Sequence, residues 1–284
     1  MSPSRVAAQE PSVGSVMLQR ARGLGRLATQ QLGGRTRLSE LYQDGCAKIR
    51  LPNTQGAGLE AVLINTAGGL TGGDVMHWSV DLAEGGHAVL TTQACERIYR
   101  SIGGHARVET AITVGAGAHL DWLPQETILF AGSRLQRRME IDLARGATLT
   151  AVEAILLGRD AMGETAMDAA MTDNWHIRRD GRLIHAEATR IDGSSEARES
   201  LSLLAGHRAL ATILHIAADA DGAARHCQAV RALFPAGAAI AASTIGERLV
   251  IRGLAHSGLA LRRMIVPILD HLSGADALPR MWHL

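Results

Sequence analysis

The sequence predicts a mainly β protein with a β-helix-like body of stacked strands and a smaller α+β C-terminal portion. Two observations support this prediction. A pattern of strand and glycine turn recurs about every 30 residues in the middle of the chain. The 284 residues include 31 glycines but only 4 Trp, 2 Tyr and 2 Phe, so the core must be filled by aliphatic side chains. Many short elements separated by glycine fit this composition better than a few long helices.

The repeat consists of an alternating strand, a glycine turn and a second strand. Apolar residues at every second position predict half-buried strands, and a fixed period of about 20–50 residues is typical of a solenoid. A β-sandwich with regular hairpins would give a similar pattern and remains the alternative. The alternating strands are His77–Leu82, Arg107–Val114 and Arg137–Leu143. The second strands, with their turns, are Gly86–Leu90, Ala116–Leu120 and Arg145–Leu149.

The elements fall into three parts of one overall domain. We expect residues 1–15 to form a flexible N-terminal tail, residues 16–205 the β-rich body with the repeat, and residues 206–284 the α+β portion. In the last part, periodicity and turn residues predict a strand, with a buried helix as the alternative, then a helix ended by Pro235, a hairpin and a helix that Pro267 kinks or breaks. These segments are, in order, Arg208–Ala218, Ala223–Phe234, Ile240–Leu254 and Gly258–Leu272.

Composition excludes several classes of function. The net charge of +1 predicts no nucleic-acid partner, because phosphate binding needs clustered cations. No apolar run has the length of a membrane span, and Met1–Ser15 lacks the apolar stretch of a secretory signal. Three cysteines without CxxC spacing and twelve histidines without a ligand motif predict neither disulfides nor a classical zinc or catalytic metal site. We therefore expect a cytoplasmic protein.

The most distinctive motif runs from Gly68 to Asp74 and contains two glycine pairs. Gly68-Gly69 and Gly72-Gly73 allow sharp turns and close backbone approach, while the Asp74 carboxylate can accept hydrogen bonds from nearby amides. No Lys-Ser/Thr pair follows, so this is not a P-loop. The spacing alone favours a structural turn over a ligand-binding loop, and both interpretations stay open.

Two carboxylates lie in strongly apolar segments. Glu126 stands in Leu123–Phe130, and Glu153 stands in Ala151–Leu157. An unpaired carboxylate is costly to bury. Glu153 is therefore expected to pair with Arg159 or another arginine, and the functional alternative is that such carboxylates line a cavity or channel. Carboxylate oxygens in such a channel could hold a divalent ion weakly. Arg159 and Glu164 form a further charge pair in a glycine-bounded loop.

Taken together, the motifs resemble the urease accessory protein UreD (UreH) family over nearly the whole chain. Five segments occur in the family's order: Gly68–Asp74; Thr91–Ala94 with Arg97, Tyr99 and Arg100; Leu123–Ile128, including Pro124 and Gln125, with Phe130; Glu153 with Arg159 and Glu164; and Leu278–Trp282. One departure is Ala131, where the family pattern leads us to expect an acidic residue.

The resemblance implies a non-enzymatic urease maturation factor with a β-helix-like body. Its implied partners are UreF-like and UreG-like accessory proteins and the apo-urease subunits. The implied task is delivery of Ni²⁺ to the urease active site through an internal tunnel, with nickel bound transiently and no cofactor held tightly. Asp74, Glu126, Glu153 and Glu164 are then candidates for tunnel or interface groups. The segment from Ala223 to Leu272 is the candidate UreF-facing part.

Two other functions stay open at this stage. A β-solenoid hydrolase or lyase acting on carbohydrate would need paired carboxylates and aromatic platforms, which the few aromatics disfavour. A purely structural β scaffold without a metal role is the other alternative.

Overall fold

The computed structural model describes residues 19–54, 56–159, 162–192, 199–274 and 278–283. Within them lie seventeen strands, two α-helices and one 3₁₀ helix, Arg280–Trp282. The strands are β1 (Arg22–Leu32), β2 (Arg35–Gly45), β3 (Ala47–Arg50), β4 (Leu59–Asn65), β5 (Val75–Leu82), β6 (His87–Thr92), β7 (Glu96–Ile98), β8 (Ala106–Val114), β9 (His119–Leu123), β10 (Thr127–Leu129), β11 (Arg134–Leu143), β12 (Thr148–Leu157), β13 (Ala170–Arg179), β14 (Arg182–Ile191), β15 (Ala209–Ile216), β16 (Ala239–Ile245) and β17 (Arg248–Ala255). The helices are α1 (Ala220–Ala232) and α2 (Gly258–Ser273).

The strands form two sheets that the chain visits alternately. The first sheet has the order β14-β13-β11-β8-β5-β1-β2, and the second has β16-β17-β15-β12-β9-β6-β4-β3, with β10 joined to β12 and β7 to β10. Neighbours from β5 to β13 in the first sheet and from β4 to β12 in the second pair in parallel. Parallel stacking of successive repeats is the geometry of a solenoid, whereas regular hairpins would pair antiparallel. The predicted β-helix-like body is confirmed, and the sandwich alternative is wrong.

The repeat places equivalent residues opposite one another. Ala88, Leu120 and Leu149 lie in register on β6, β9 and β12, and all three are fully buried between the sheets. Side chains alternate across a strand, so the residues one position earlier face away from this core. The aliphatic stacking predicted from composition therefore forms the centre of the body.

The C-terminal portion extends the second sheet and covers it with helices. Antiparallel β15, β17 and β16 continue from β12, and the two helices pack beside them around a separate apolar cluster. Helix α1 begins at Ala220 because Asp219 caps it by accepting a 2.6 Å hydrogen bond from the Gly222 amide. Of the two predicted effects of Pro267, a kink or a break, the break does not occur, because α2 continues through this residue.

The elements predicted for the C-terminal portion are present in the structure. The predicted strand and hairpin are present as β15 and as β16 with β17, and both predicted helices are present. The tail predicted over residues 1–15 lies outside the described residues. Across the described ranges, we find no helix with the length and apolar character that a membrane crossing requires.

Candidate functional site

A polar cavity lies inside the solenoid, between the two sheets. Its volume is about 70 Å³, which is large enough for several water molecules. Side chains from both sheets line it, and they combine three indole rings with three ionisable groups. These residues are Trp78, Trp122, Trp175, Glu96, Arg137 and Glu153.

Arg137 is the central charge of this cavity. Its Nη2 lies 2.8 Å from Oε2 of Glu153, and its Nε and Nη2 each lie 3.0 Å from an oxygen of Asp173. Thr127 Oγ1 accepts a hydrogen bond from Arg137 at 3.0 Å and donates one to Glu153 at 3.2 Å. The Trp175 indole N–H donates to Asp173 at 3.0 Å. Every member of this buried network therefore has a partner.

The ionisation of this network depends on burial and on the sharing of one guanidinium by two carboxylates. Desolvation raises the pKa of Glu153, and the nearby Asp173 adds to the rise because both carboxylates share one guanidinium. Desolvation disfavours the charged form of Arg137, but the two carboxylates outweigh it and raise its pKa. The arginine stays charged while Glu153 can take up a proton.

Glu96 is the second carboxylate of the cavity. It accepts hydrogen bonds from the Asn65 amide at 3.1 and 3.2 Å. Desolvation raises its pKa to about 7, and the Asn65 hydrogen bond offsets only part of that rise. At neutral pH this carboxylate therefore exchanges between its protonated and ionised forms.

An outer groove of about 530 Å³ adjoins the cavity. Gln125 lines both spaces, whereas Glu126 lines the groove and Pro124 the cavity. Glu126 pairs with Arg262 at 3.2 Å and accepts a hydrogen bond from the Cys95 thiol at 3.3 Å. Gln125 is thus the residue that the two linings share.

Arg262 joins α2 to this groove. Besides Glu126, it donates hydrogen bonds to the Gln125 side-chain oxygen and to the Met281 carbonyl, and its guanidinium lies over the Trp282 ring. Gln125 Nε2 is buried without a hydrogen-bond partner within the described residues. Water in the cavity could satisfy such a donor.

The glycine motif contacts neither space and shapes a turn. The Asp74 carboxylate accepts hydrogen bonds from the amides of Ala21 at 2.9 Å and Thr71 at 2.8 Å. A Cβ on Gly72 would lie 2.0 Å from Ser101 Oγ, so this position requires glycine. These contacts support the structural-turn reading over the ligand loop.

The other motif residues surround this turn. Gly69 lies against the Tyr99 ring, and the Tyr99 hydroxyl donates to the Gly68 carbonyl at 3.2 Å. Gly73 has a φ of +91°, and the Arg100 carbonyl accepts from the Thr71 hydroxyl at 2.8 Å. Arg97 is exposed and lines the outer groove.

Glu164 lies in a separate surface loop. It forms the predicted pair with Arg159 at 2.5 Å and accepts a hydrogen bond from the Ala131 amide at 3.1 Å. The Arg159 guanidinium lies 4.6 Å from the centre of the Phe130 ring. The structure thus brings Glu153 to the cavity and Glu126 to its adjoining groove, while Asp74 and Glu164 stabilise loops elsewhere.

Sequence reasoning missed Arg137, Asp173 and Glu96. A signal for two of them was present in the alternation of their strands. Arg137 stands at an inward position of β11 between Leu135 and Met139, and Asp173 does so in β13. Charged residues at inward positions of two paired strands indicate a buried ion pair.

The structure also brings together side chains that could hold a metal ion. The side-chain ligand atoms of His87, His119 and Asp121 lie within 4.8 Å of one another. Burial by itself would raise the pKa of Asp121, but hydrogen bonds to His119 and His87 outweigh it and hold the pKa below its usual range. No motif indicated this cluster, because its two histidines come from different repeats.

The fold and the arrangement of its buried polar groups define the class of this protein. It is a β-solenoid whose conspicuous polar groups are paired around a small interior cavity. All four tryptophans are at least nine-tenths buried, so none provides an open aromatic platform for a sugar.

The particular family follows from comparison with known proteins. Residues 21–283 match the family described as UreD urease accessory protein, and the chain belongs to this family. It is 57% identical to the urease accessory protein UreD of Chelativorans sp. (strain BNC1) over 280 residues, covering 99% of this chain and 100% of the relative. The proteins of the same name from Rhizobium etli and Agrobacterium fabrum are 49% and 44% identical, covering 94% and 98% of this chain and 96% and 95% of theirs. The chain is an accessory factor in urease maturation.

Proposed function

We propose that this chain delivers nickel to apo-urease and that the cavity between its sheets is part of the ion's route. Membership of the urease accessory family supports urease as the protein that receives the nickel. The observation that supports the route is a polar cavity lined by Glu96 and Glu153, which shares Gln125 with the lining of the outer groove. Nickel is cargo in this proposal, and the protein holds no cofactor tightly.

The chemistry of the cavity suits transfer better than storage. A relay needs ligands that release the ion, and scattered carboxylates, carbonyls and water bind Ni²⁺ less tightly than a cage of thiolates or imidazoles. Glu96 has a pKa of about 7, so protons compete with a metal ion for its oxygens at neutral pH. Arg137 compensates Glu153 and Asp173, which further limits how tightly a cation is held.

The proposed partners are a UreF-like protein, a UreG-like protein and the urease subunits. The candidate UreF-facing part, Ala223–Leu272, exposes Leu233, Ile245 and Leu259, which are large apolar side chains of the kind that partners cover. We set this step in the cytoplasm, where free cysteines such as Cys46, Cys95 and Cys227 stay reduced.

Nickel analysis of urease tests this function. Urease would be co-expressed with its other accessory proteins, with and without this chain, and its nickel content and activity measured. We expect abundant but nickel-poor urease when the chain is omitted. Equal nickel loading without the chain would overturn the maturation role.

One variant tests whether nickel passes through the cavity or whether the chain acts only as a structural scaffold. Glu96→Gln removes a cavity charge with little change in shape, and Glu109→Gln, on the exposed face of the first sheet, is the matched control. With complex assembly verified by co-purification, we expect several-fold less nickel in urease for Glu96→Gln only. Full loading with both variants would favour a scaffold and contradict the route.

A further inference from the structure

We propose that His87, His119 and Asp121 form an exchangeable binding site for a borderline divalent cation such as Ni²⁺ or Zn²⁺. None of the three lines the interior cavity. The inference does not rest on the proposed route, because it concerns the chain's own affinity for an ion. Whether that ion later reaches urease is a separate question.

The repeat creates this site. His87 and His119 are register partners at the first positions of β6 and β9, and Thr148 occupies the same position on β12. Asp121 lies two residues after His119, on the same face of the strand. Residues that are 32 positions apart in sequence therefore become neighbours because two solenoid repeats stack.

The distances suit a shared ion. Asp121 Oδ2 lies 3.1 Å from Nε2 of His119 and 3.4 Å from Nε2 of His87. Metal–nitrogen bonds of about 2.1 Å in a tetrahedron place neighbouring ligand atoms about 3.4 Å apart. All three ligand atoms lie within 4.8 Å of one another, so small side-chain rotations bring them onto one ion. Two imidazoles with one carboxylate suit nickel or zinc better than calcium or magnesium.

Further hydrogen bonds hold the ligands in orientation. His119 Nδ1 lies 2.7 Å from Thr148 Oγ1, which leaves Nε2 facing the proposed ion. Asp121 Oδ1 accepts a 2.8 Å hydrogen bond from the hydroxyl of Ser273, which leaves Oδ2 for the ion. Metal-binding histidines and carboxylates are usually fixed in this way through their second polar atom. Thr148 and Ser273 are therefore positioning residues in the proposal.

The site is open on one side. Asp121 is fully buried, while the side chains of His119 and His87 are 26% and 40% exposed. Three protein ligands leave at least one coordination position for water or for a ligand atom from a partner. Such a site can exchange its ion with the surroundings, unlike a closed four-ligand structural site.

More imidazoles continue from the site towards α2. His215 Nδ1 lies 3.1 Å from Thr150 Oγ1, the His215 and His226 ring centroids are 4.7 Å apart, and His226 Nδ1 lies 3.3 Å from His271 Nε2. Five of the chain's twelve histidines thus lie along one band beside the second sheet. These further imidazoles lie outside the cluster of three ligand atoms, so the proposed site is formed by His87, His119 and Asp121 alone.

Calorimetric titration of the purified full-length chain with Ni²⁺ and with Zn²⁺ tests the site. We expect saturable binding of about one equivalent, weakened at least tenfold in His87→Ala and in His119→Ala. Thr148→Val should weaken binding about tenfold, because positioning residues contribute 10–100-fold to metal affinity. His77→Ala is the matched control, since His77 pairs with Glu109 at 3.2 Å on the first sheet and, among the described residues, belongs to no group of three possible metal ligands.

Circular dichroism and thermal midpoints would confirm that each variant is folded. Should His119→Ala fail to fold, the more exposed His87 and the conservative Thr148→Val still decide the question. Absence of saturable binding to the unaltered chain would overturn the proposal. Unchanged affinity in folded His87→Ala and Thr148→Val would place the ion elsewhere and also overturn it. Neither result depends on urease or its nickel content.

Discussion

Arg137 shows how a single residue shapes the interior of this solenoid. It occupies a position in β11 where the flanking inward residues are Leu135 and Met139. Its guanidinium contacts two carboxylates, so the three groups carry one net negative charge when all are ionised. Burial raises the pKa of Glu153, and the nearby Asp173 adds to the rise that Arg137 only partly offsets. The result is a polar centre between sheets that are otherwise held together by aliphatic packing.

Replacing Arg137 is expected to destabilise the fold strongly. Arg137→Met leaves Glu153 and Asp173 buried without their counter-charge, and breaking a buried pair in this way costs about 3–5 kcal/mol. The free energy of unfolding in urea measures the loss. Arg138→Met is the control, because Arg138 is 62% exposed and its pair with Glu140 is worth less than about 1 kcal/mol. Equal losses in the two variants would show that the buried network is not stabilising.

Glu96 gives a prediction about pH. Its pKa is about 7 in the folded protein against an ordinary value of 4.5, so the folded state binds the proton more tightly than the unfolded chain. The free energy of unfolding should therefore fall by about 1–3 kcal/mol as the pH rises from 5 to 8. Glu96→Gln should flatten this dependence. Urea unfolding across that pH range measures it.

The control for this prediction is Glu40→Gln. Glu40 is more than half exposed on β2, so its removal should leave the pH profile unchanged. If the free energy of unfolding of Glu96→Gln falls with pH as steeply as that of the unaltered chain, Glu96 is not the group responsible for the pH dependence.

At the scale of elements, α2 is attached to the body by an apolar face and by one buried arginine. Arg262 lies on the buried side of the helix and contacts Gln125, Glu126 and the 3₁₀ helix at once. The next residue, Arg263, is exposed. Two adjacent arginines therefore have different roles because the helix turns about 100° per residue.

Hydrogen exchange can separate these roles. Arg262→Leu removes the pair with Glu126 and leaves that carboxylate buried, so we expect faster amide exchange in α2 while the central strands stay protected. Arg263→Leu is the matched control and should leave the exchange unchanged. Unchanged protection of α2 in a folded Arg262→Leu protein would mean that apolar packing alone holds the helix.

At the scale of the whole molecule, the end of the chain closes the apolar cluster between the second sheet and the helices. Trp282 is 1% exposed, and its indole N–H donates to the Leu123 carbonyl of β9 at 3.1 Å. The last described residues therefore anchor directly on the solenoid. This contact joins the C-terminal portion to the body across 159 positions of sequence.

Truncating this side chain should destabilise the whole fold. Trp282→Ala leaves a large cavity in the cluster, and such changes cost about 3–5 kcal/mol. Leu259→Ala, on α2 but 59% exposed, should cost under about 0.5 kcal/mol. The thermal midpoints of both variants measure the difference. A Trp282→Ala midpoint equal to that of Leu259→Ala would contradict the anchoring role.

The solenoid and the C-terminal elements could be predicted because their signals are local. Alternating apolar residues, glycine turns and a 30-residue period depend on residues close together in the chain. The polar sites were predicted less completely. Glu153 was singled out from its apolar surroundings, but its partner Arg137 and the neighbouring Asp173 come from two other strands. Only the stacking of those strands shows which charges compensate one another.

Periodicity and ordered motifs were sufficient to predict a mainly β protein with a β-helix-like body, its α+β ending and its resemblance to urease accessory proteins. Excluding the sandwich alternative required the parallel strand pairing seen in the structure. The tertiary structure decided which carboxylates reach the cavity, which merely hold turns, and that His87 and His119 share one face. The physical reason is register. The pairing of parallel strands sets which residues of distant repeats become neighbours, and a shift of one residue would turn these side chains to the opposite face of the sheet.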